Sequence, residues 1–88
     1  MDYTVQFAPR AERQLSRLPA TVQRDLVASA ESLAANPRPV GARKLTGHRN
    51  RWRIRVGSYR IIYEICDKML IVLVVVVGHR RDVYRRIE

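Results

Sequence analysis

Arg51, Arg53 and Arg55 alternate with Trp52, Ile54 and Val56, and Arg60 follows just beyond Gly57-Ser58. If Gly57-Ser58 is a two-residue turn, strand alternation sets Val56 opposite Tyr59, Ile54 opposite Ile61 and Trp52 opposite Tyr63. All of these are apolar or aromatic, and they share one face. The other face pairs Arg55 with Arg60, Arg53 with Ile62, and Arg51 with Glu64. Like charges directly opposite each other weaken a sheet, by roughly 0.2–1 kcal/mol. A local rule broken without visible compensation points to a site, and the chemistry on offer is recognition of a phosphate. The guanidinium fork matches phosphate oxygens bidentately and stays charged, so it grips and stabilises negative charge but does not act as a base. Taken singly, each of these arginines also fits an ordinary solvated strand face.

The remaining chemistry-bearing residues are few. His48 falls in a linking loop and reads as surface. His79 adjoins Arg80 and is the better candidate for proton transfer, with a structural or stacking role as the alternative. Arg80 and Arg81 follow Gly78, where the backbone is free to turn, and Arg80 is expected near the arginine face. Tyr84 either caps the core or serves the site. The acids are scattered without ligand spacing, so no metal is expected. No glycine-rich phosphate loop occurs, and no cofactor is expected.

The elements that must position these groups are legible from periodicity. Tyr3, Val5 and Phe7 alternate with polar residues as a short strand. Ala11, Leu15 and Leu18 share one helical face. Pro19 interrupts, Thr21 is placed to cap a second helix, and Val22, Leu26, Ala30 and Leu33 form its apolar stripe. Asn36-Pro37 ends it. A linking stretch holds a short strand near Arg43–Thr46. Strands then follow at Arg51–Val56, Ser58–Cys66 and Met69–Val77, with Asp67-Lys68 as a second tight turn that sets Arg60 opposite Val75. A short helical turn is expected within 79–88. The order strand, helix, helix, β-meander predicts one α+β domain over residues 1–88, with a helical hairpin on one sheet face.

Seventeen Lys and Arg against eight Asp and Glu give a net charge of +9, and fifteen of the basic residues are arginine. Between Pro37 and Tyr63 there are eight basic residues and no acid. Such a field draws a polyanion: nucleic acid, an anionic membrane or an acidic protein. No basic amphipathic helix supports the membrane reading. The longest apolar run, Met69–Val77, falls well short of the ~20 residues a membrane helix needs. One cysteine, Cys66, allows no internal disulfide and fits a reducing compartment such as the cytoplasm. The amino terminus lacks the basic start and apolar core of an export signal.

The run Trp52-Arg53-Ile54-Arg55-Val56-Gly57-Ser58-Tyr59-Arg60-Ile61-Ile62-Tyr63-Glu64, followed by Val77-Gly78-His79-Arg80-Arg81-Asp82-Val83-Tyr84, resembles the RelE-type toxins of the RelE/ParE superfamily. Arg43-Lys44-Leu45-Thr46-Gly47 and the opening strand and paired helices extend the resemblance over nearly the whole chain. It implies a ribosome-dependent mRNA endonuclease acting in the A site, silenced by a cognate antitoxin through which the complex contacts operator DNA. The family's strand basics fall on Arg53 and Arg55, where some relatives carry lysine. The following arginine falls on Arg60, the one after the glycine turn on Arg80, and the tyrosine on Tyr84. The spacing from Gly78 to Tyr84 is among the shorter forms.

The expected machinery is therefore Arg55, Arg60, Arg80, Tyr84 and His79. Arg43, Lys44, Arg49, Arg51, Arg53 and Arg81 are expected along the RNA backbone. RNA brings its own nucleophile, the 2′-hydroxyl, so neither a metal nor a protein nucleophile is required. Two other readings stand beside this one, and Arg53, Arg55, Arg60 and Arg80 together argue against the first, whose members generally lack that constellation. One is a ParE-like gyrase poison with the same fold. The other is a non-catalytic RNA- or DNA-binding module.

Overall fold

Val5 and Phe7 alternate with Thr4 and Gln6 in the first strand, β1 (Thr4–Phe7). The computed structural model describes residues 2–47, 50–79 and 81. Helix α1 (Pro9–Ser16) begins with a proline, which has no N–H to leave unsatisfied in the first turn. Helix α2 (Ala20–Glu31) runs into a 3-10 turn at Ser32–Ala34. Pro19, not Thr21, stands at the α2 N-cap, with φ −56° and ψ 149°, and no side chain caps the helix. The fixed proline φ presets the entry, so α2 starts one residue before the threonine that was expected to precede it.

Strands β2 (Arg43–Lys44), β3 (Arg51–Val56), β4 (Tyr59–Cys66) and β5 (Ile71–His79) complete a sheet of order β1-β5-β4-β3-β2. The last four are antiparallel neighbours, while β1 pairs with β5 in parallel. The fold is α+β, and both helices lie on one sheet face, α1 against β5 and α2 against β3. Their shared core holds Leu26, Ala30, Leu33, Ile54, Ile61, Tyr63, Val72, Val74 and Val77. Tyr63 is fully buried, and its hydroxyl donates to the Pro37 carbonyl at 2.7 Å. Burial disfavours the phenolate and pushes its pKa up to about 12.

The β3–β4 hairpin has the register expected from alternation, from Val56↔Tyr59 to Arg51↔Glu64. Gly57 has φ +59° and Ser58 a negative φ, which is the backbone of a type II′ turn. The next hairpin differs. Cys66 pairs with Ile71, so Asp67–Leu70 make a four-residue connection in place of the expected Asp67-Lys68 turn. Leu70 takes φ +55° there, a conformation that costs a side chain about 1–2 kcal/mol. It is held by Leu70 N–H to the Asp67 carbonyl at 3.3 Å and by Thr4 N–H to the Leu70 carbonyl at 2.7 Å.

A second departure lies in β5. Tyr63 pairs with Val74 and Ile62 with Val76, leaving Val75 as an extra residue in a β-bulge. Beyond it, Arg60 lies opposite Gly78 and not Val75. Gln14, buried on α1, presents its side-chain carbonyl oxygen to the Val77 N–H at 2.9 Å. That bond secures β5 just past the bulge. Gln14→Leu removes the acceptor from a buried N–H and is expected to cost about 1–3 kcal/mol, read as a lower midpoint in urea denaturation.

One ion pair ties the far end of the sheet together. Arg38 meets Asp67 with both terminal guanidinium nitrogens, at 3.2 and 2.9 Å. Tyr3 donates its hydroxyl to the same carboxylate at 2.6 Å, and the Arg38 guanidinium lies 5.3 Å from the Trp52 ring centroid. The Arg38 and Tyr3 hydrogen bonds hold the Asp67 carboxyl below its ordinary pKa. A depressed carboxyl contributes stability above its unfolded pKa of ~4 and loses it as pH falls through the folded value. Asp67→Asn should therefore differ from the parent in stability at neutral pH and converge with it in acid, measured by denaturation at several pH values.

Candidate nucleic-acid interface

Alternation fixes which side chains leave the sheet away from the helices. The β2–β3 register places Arg43 opposite Arg53, and the β3–β4 register places Arg53 opposite Ile62 and Arg55 opposite Arg60. The β4–β5 register adds Val76 beyond Ile62 and Gly78 beyond Arg60. Two transverse rows result: Arg43–Arg53–Ile62–Val76, and beside it Arg55–Arg60–Gly78. The next row on the other side is Arg51–Glu64–Leu73, where Arg51 Nε donates to Glu64 Oε2 at 2.9 Å.

The two central arginines are unusual in their burial. Arg53 is 7% exposed and Arg60 is 9% exposed. Their stems lie beside a small apolar cluster in which Ile62 and Val76 are fully buried and Leu45 and Val75 partly so. Long basic stems often cover apolar surface while the charged head reaches outward. The Nε of Arg60 is buried and has no hydrogen-bond partner among the described residues. A buried, unsatisfied guanidinium nitrogen opposite another arginine carries a desolvation cost that an anionic ligand would offset. Arg55 is exposed at the rim. Sequence reading found the arginines but missed the apolar floor, which exists because the bulge turns Val75 and Val76 to the same side.

The expected site residues are not all brought together. Arg43, Arg53, Arg55 and Arg60 share the face. Lys44 pairs with Trp52 and falls on the helix side. His79 pairs with Tyr59, and their rings meet edge to face at 5.7 Å between centroids, so its ring also lies on the helix side. The register thus carries His79 away from Arg60. Its Nδ1 accepts the Arg81 N–H at 3.3 Å, and Arg81 is exposed. Arg51 is occupied by Glu64. Arg49, Arg80 and Tyr84, as well as His48, lie outside the described residues. Among the described residues, no group of three or more His, Cys, Asp or Glu is placed to hold a metal.

Comparison with known proteins places this arrangement. Residues 5–84 match the family model for the ParE toxin of the type II toxin–antitoxin system parDE. The chain belongs to the RelE/ParE toxins. Within them, its named relatives carry RelE-type names. Toxin RelG of Mycobacterium tuberculosis is 38% identical over 90 residues, covering 98% of this chain and all of the relative. The mRNA interferase toxin RelE of Escherichia coli K12 is 32% identical, covering 91% of this chain and 85% of the relative. Among solved structures, the toxin–antitoxin complex RelBE2 of Mycobacterium tuberculosis superposes with a TM-score of 0.81 at 32% identity, covering 93% of this chain and 95% of that one. The intact RelBE complex of Escherichia coli gives a TM-score of 0.77 at 29% identity, covering 88% of this chain and 95% of that one. As a RelE/ParE toxin, the chain has its bulged fifth strand and arginine rows on a five-stranded mixed sheet of the kind those structures share.

Proposed function

We propose that this toxin is an mRNA endonuclease that cuts message in the ribosomal A site, using the RNA's own 2′-hydroxyl as nucleophile. The observation that carries the reading is Arg60: buried, opposite Arg55, with an unsatisfied Nε on a face built from arginine. The name of its relative RelE, an mRNA interferase, supports the same chemistry.

In this mechanism the 2′-oxygen loses its proton and attacks phosphorus. The bond from phosphorus to the 5′-oxygen breaks, that oxygen gains a proton, and the products are a 2′,3′-cyclic phosphate and a 5′-hydroxyl. Arg60 and Arg80 hold the non-bridging oxygens and neutralise the charge that builds on them. Arg53 and Arg55 fix the flanking backbone so that attack is in line. Tyr84 stacks on a base or orients the 2′-hydroxyl. His79 supports the strand from behind through Tyr59, so proton transfer falls to groups that the ribosome brings. Arginine cannot take that part, which is consistent with dependence on the ribosome.

A cognate antitoxin holds the toxin silent; the solved structures of its relatives as RelBE toxin–antitoxin complexes support such a partner. A flexible chain that folds on binding, bringing acids to a +9 surface, suits this partner. The working compartment is the cytoplasm, where ribosomes are; no helix among the described residues is long and apolar enough to cross a membrane. Primer extension on message incubated with purified toxin should show breaks only when ribosomes are present. Intact message with inhibited gyrase supercoiling would favour the ParE-like reading, and tight RNA binding without cleavage would favour a bare binding module.

A further inference from the structure

The open sheet face is divided in two. Its basic side chains, Arg43, Arg51, Arg53, Arg55 and Arg60, all lie on β2, β3 and β4. Toward β5 and β1 the same face carries Leu73, Ile71, Gln6 and Thr4, none of them charged. Glu64 stands at the border, and no other strand residue described on this face is acidic. Along β3, Arg55, Arg53 and Arg51 recur at every second residue, about 7 Å apart. An extended polyanion can follow such a ladder from Arg60 and Arg55 past Arg53 toward Arg51. The last rung is taken. Arg51 Nε donates to Glu64 Oε2 at 2.9 Å, from the residue directly opposite in the hairpin. Both side chains are partly buried, and salt screens such a pair less than an exposed one.

We infer that Glu64 is a specificity-determining residue: it holds Arg51 back and so ends the arginine track one phosphate short. This rests on the RNA-cutting reading and adds what keeps the toxin off RNA elsewhere. The affinity of a basic face for RNA rises with each phosphate it neutralises, whatever the sequence. A nuclease that grips every RNA is lost among strands that it does not cut. Glu64 limits that grip in two ways. It withdraws one guanidinium from the track, and its own charge repels the next phosphate along. Off the ribosome, RNA is therefore held weakly, and a firm hold comes only where the ribosome presents the message.

Glu64→Gln keeps the shape of the side chain and removes its charge. The probe is a short single-stranded RNA with 2′-O-methyl riboses, which cannot be cut, and binding is read by fluorescence anisotropy at several salt concentrations. Glu64→Gln should bind about fivefold more tightly than the parent at moderate salt. The slope of log K against log salt should steepen by about 0.7, the value for one added phosphate contact on a single strand. Glu12→Gln, the same charge change at an exposed position on α1, should have a much smaller effect. In NMR spectra, the Arg51 Nε–H signal should move on adding RNA in Glu64→Gln and stay in place in the parent. The same RNA, added as a competitor, should inhibit cleavage on ribosomes at a lower concentration with Glu64→Gln. Equal effects of Glu64→Gln and Glu12→Gln would overturn the assignment, as would an Arg51 signal that RNA moves equally in parent and variant, or no RNA binding by either. Cleavage by the parent chain on ribosomes without competitor, assayed in parallel, separates these outcomes from failure of the nuclease reading.

Discussion

Replacing Arg60 by methionine is expected to lower message cleavage on ribosomes by about 10²–10³-fold, the usual loss when one group that stabilises transition-state charge is removed. The same change should leave the fold as stable as before, or raise its stability by about 1 kcal/mol. The physical reason is the placement of this side chain. Arg60 is 9% exposed, lies opposite Arg55 and has a buried Nε with no partner among the described residues. A side chain of similar length without charge keeps the packing over Ile62 and Val76 and removes both repulsion and desolvation cost. For a domain of this size that gain would raise Tm by about 4–8 °C. A purely structural arginine predicts the opposite sign. Arg80→Ala should show the same loss of cleavage with no loss of stability, measured by the same pair of assays.

Leu26→Ala is expected to have the largest effect on stability. Leu26 is fully buried in the core that joins α2 to the sheet. Truncating a buried leucine costs about 2–5 kcal/mol, from lost transfer energy and the cavity left behind. Small domains have only about 5–15 kcal/mol in total. A chain of 88 residues therefore loses a large fraction of its stability, and the denaturation midpoint should fall without a change in slope. Function would suffer only through the larger unfolded fraction, because Leu26 lies in the core and not on the arginine face. Below the unfolding transition, cleavage by this variant should remain near the parent level, in contrast to Arg60→Met.

The contrast between these two variants follows from what the sequence makes legible. The hairpin from Arg51 to Cys66 could be read residue by residue, because Gly57-Ser58 fixes a two-residue turn and the alternation sorts every side chain. The second hairpin could not. Its connection is two residues longer than expected, which shifts the register by two and keeps every side chain on its expected face. The bulge at Val75 adds one residue more, and a single step exchanges the faces. Arg60 consequently gains Gly78 as its neighbour, and His79 goes to the helix side. Nothing local in a run of valines marks where an extra residue enters. The Gln14 side chain, 63 positions before Val77, supplies the hydrogen bond that steadies the strand just beyond it. The parallel placement of β1 beside β5 is equally a property of the assembled fold.

The most direct measurement of the central claim uses ribosomes programmed with messages that differ only in the 2′-hydroxyls of one codon. In one message the A-site codon is all ribose; in the other, each of its nucleotides is 2′-deoxy. If the arginine face serves an attack by the 2′-oxygen, the toxin should cut only the first, leaving a 2′,3′-cyclic phosphate upstream and a 5′-hydroxyl downstream, both identified by mass spectrometry. Cleavage of the deoxy codon, or a 5′-phosphate on the downstream fragment, would contradict it.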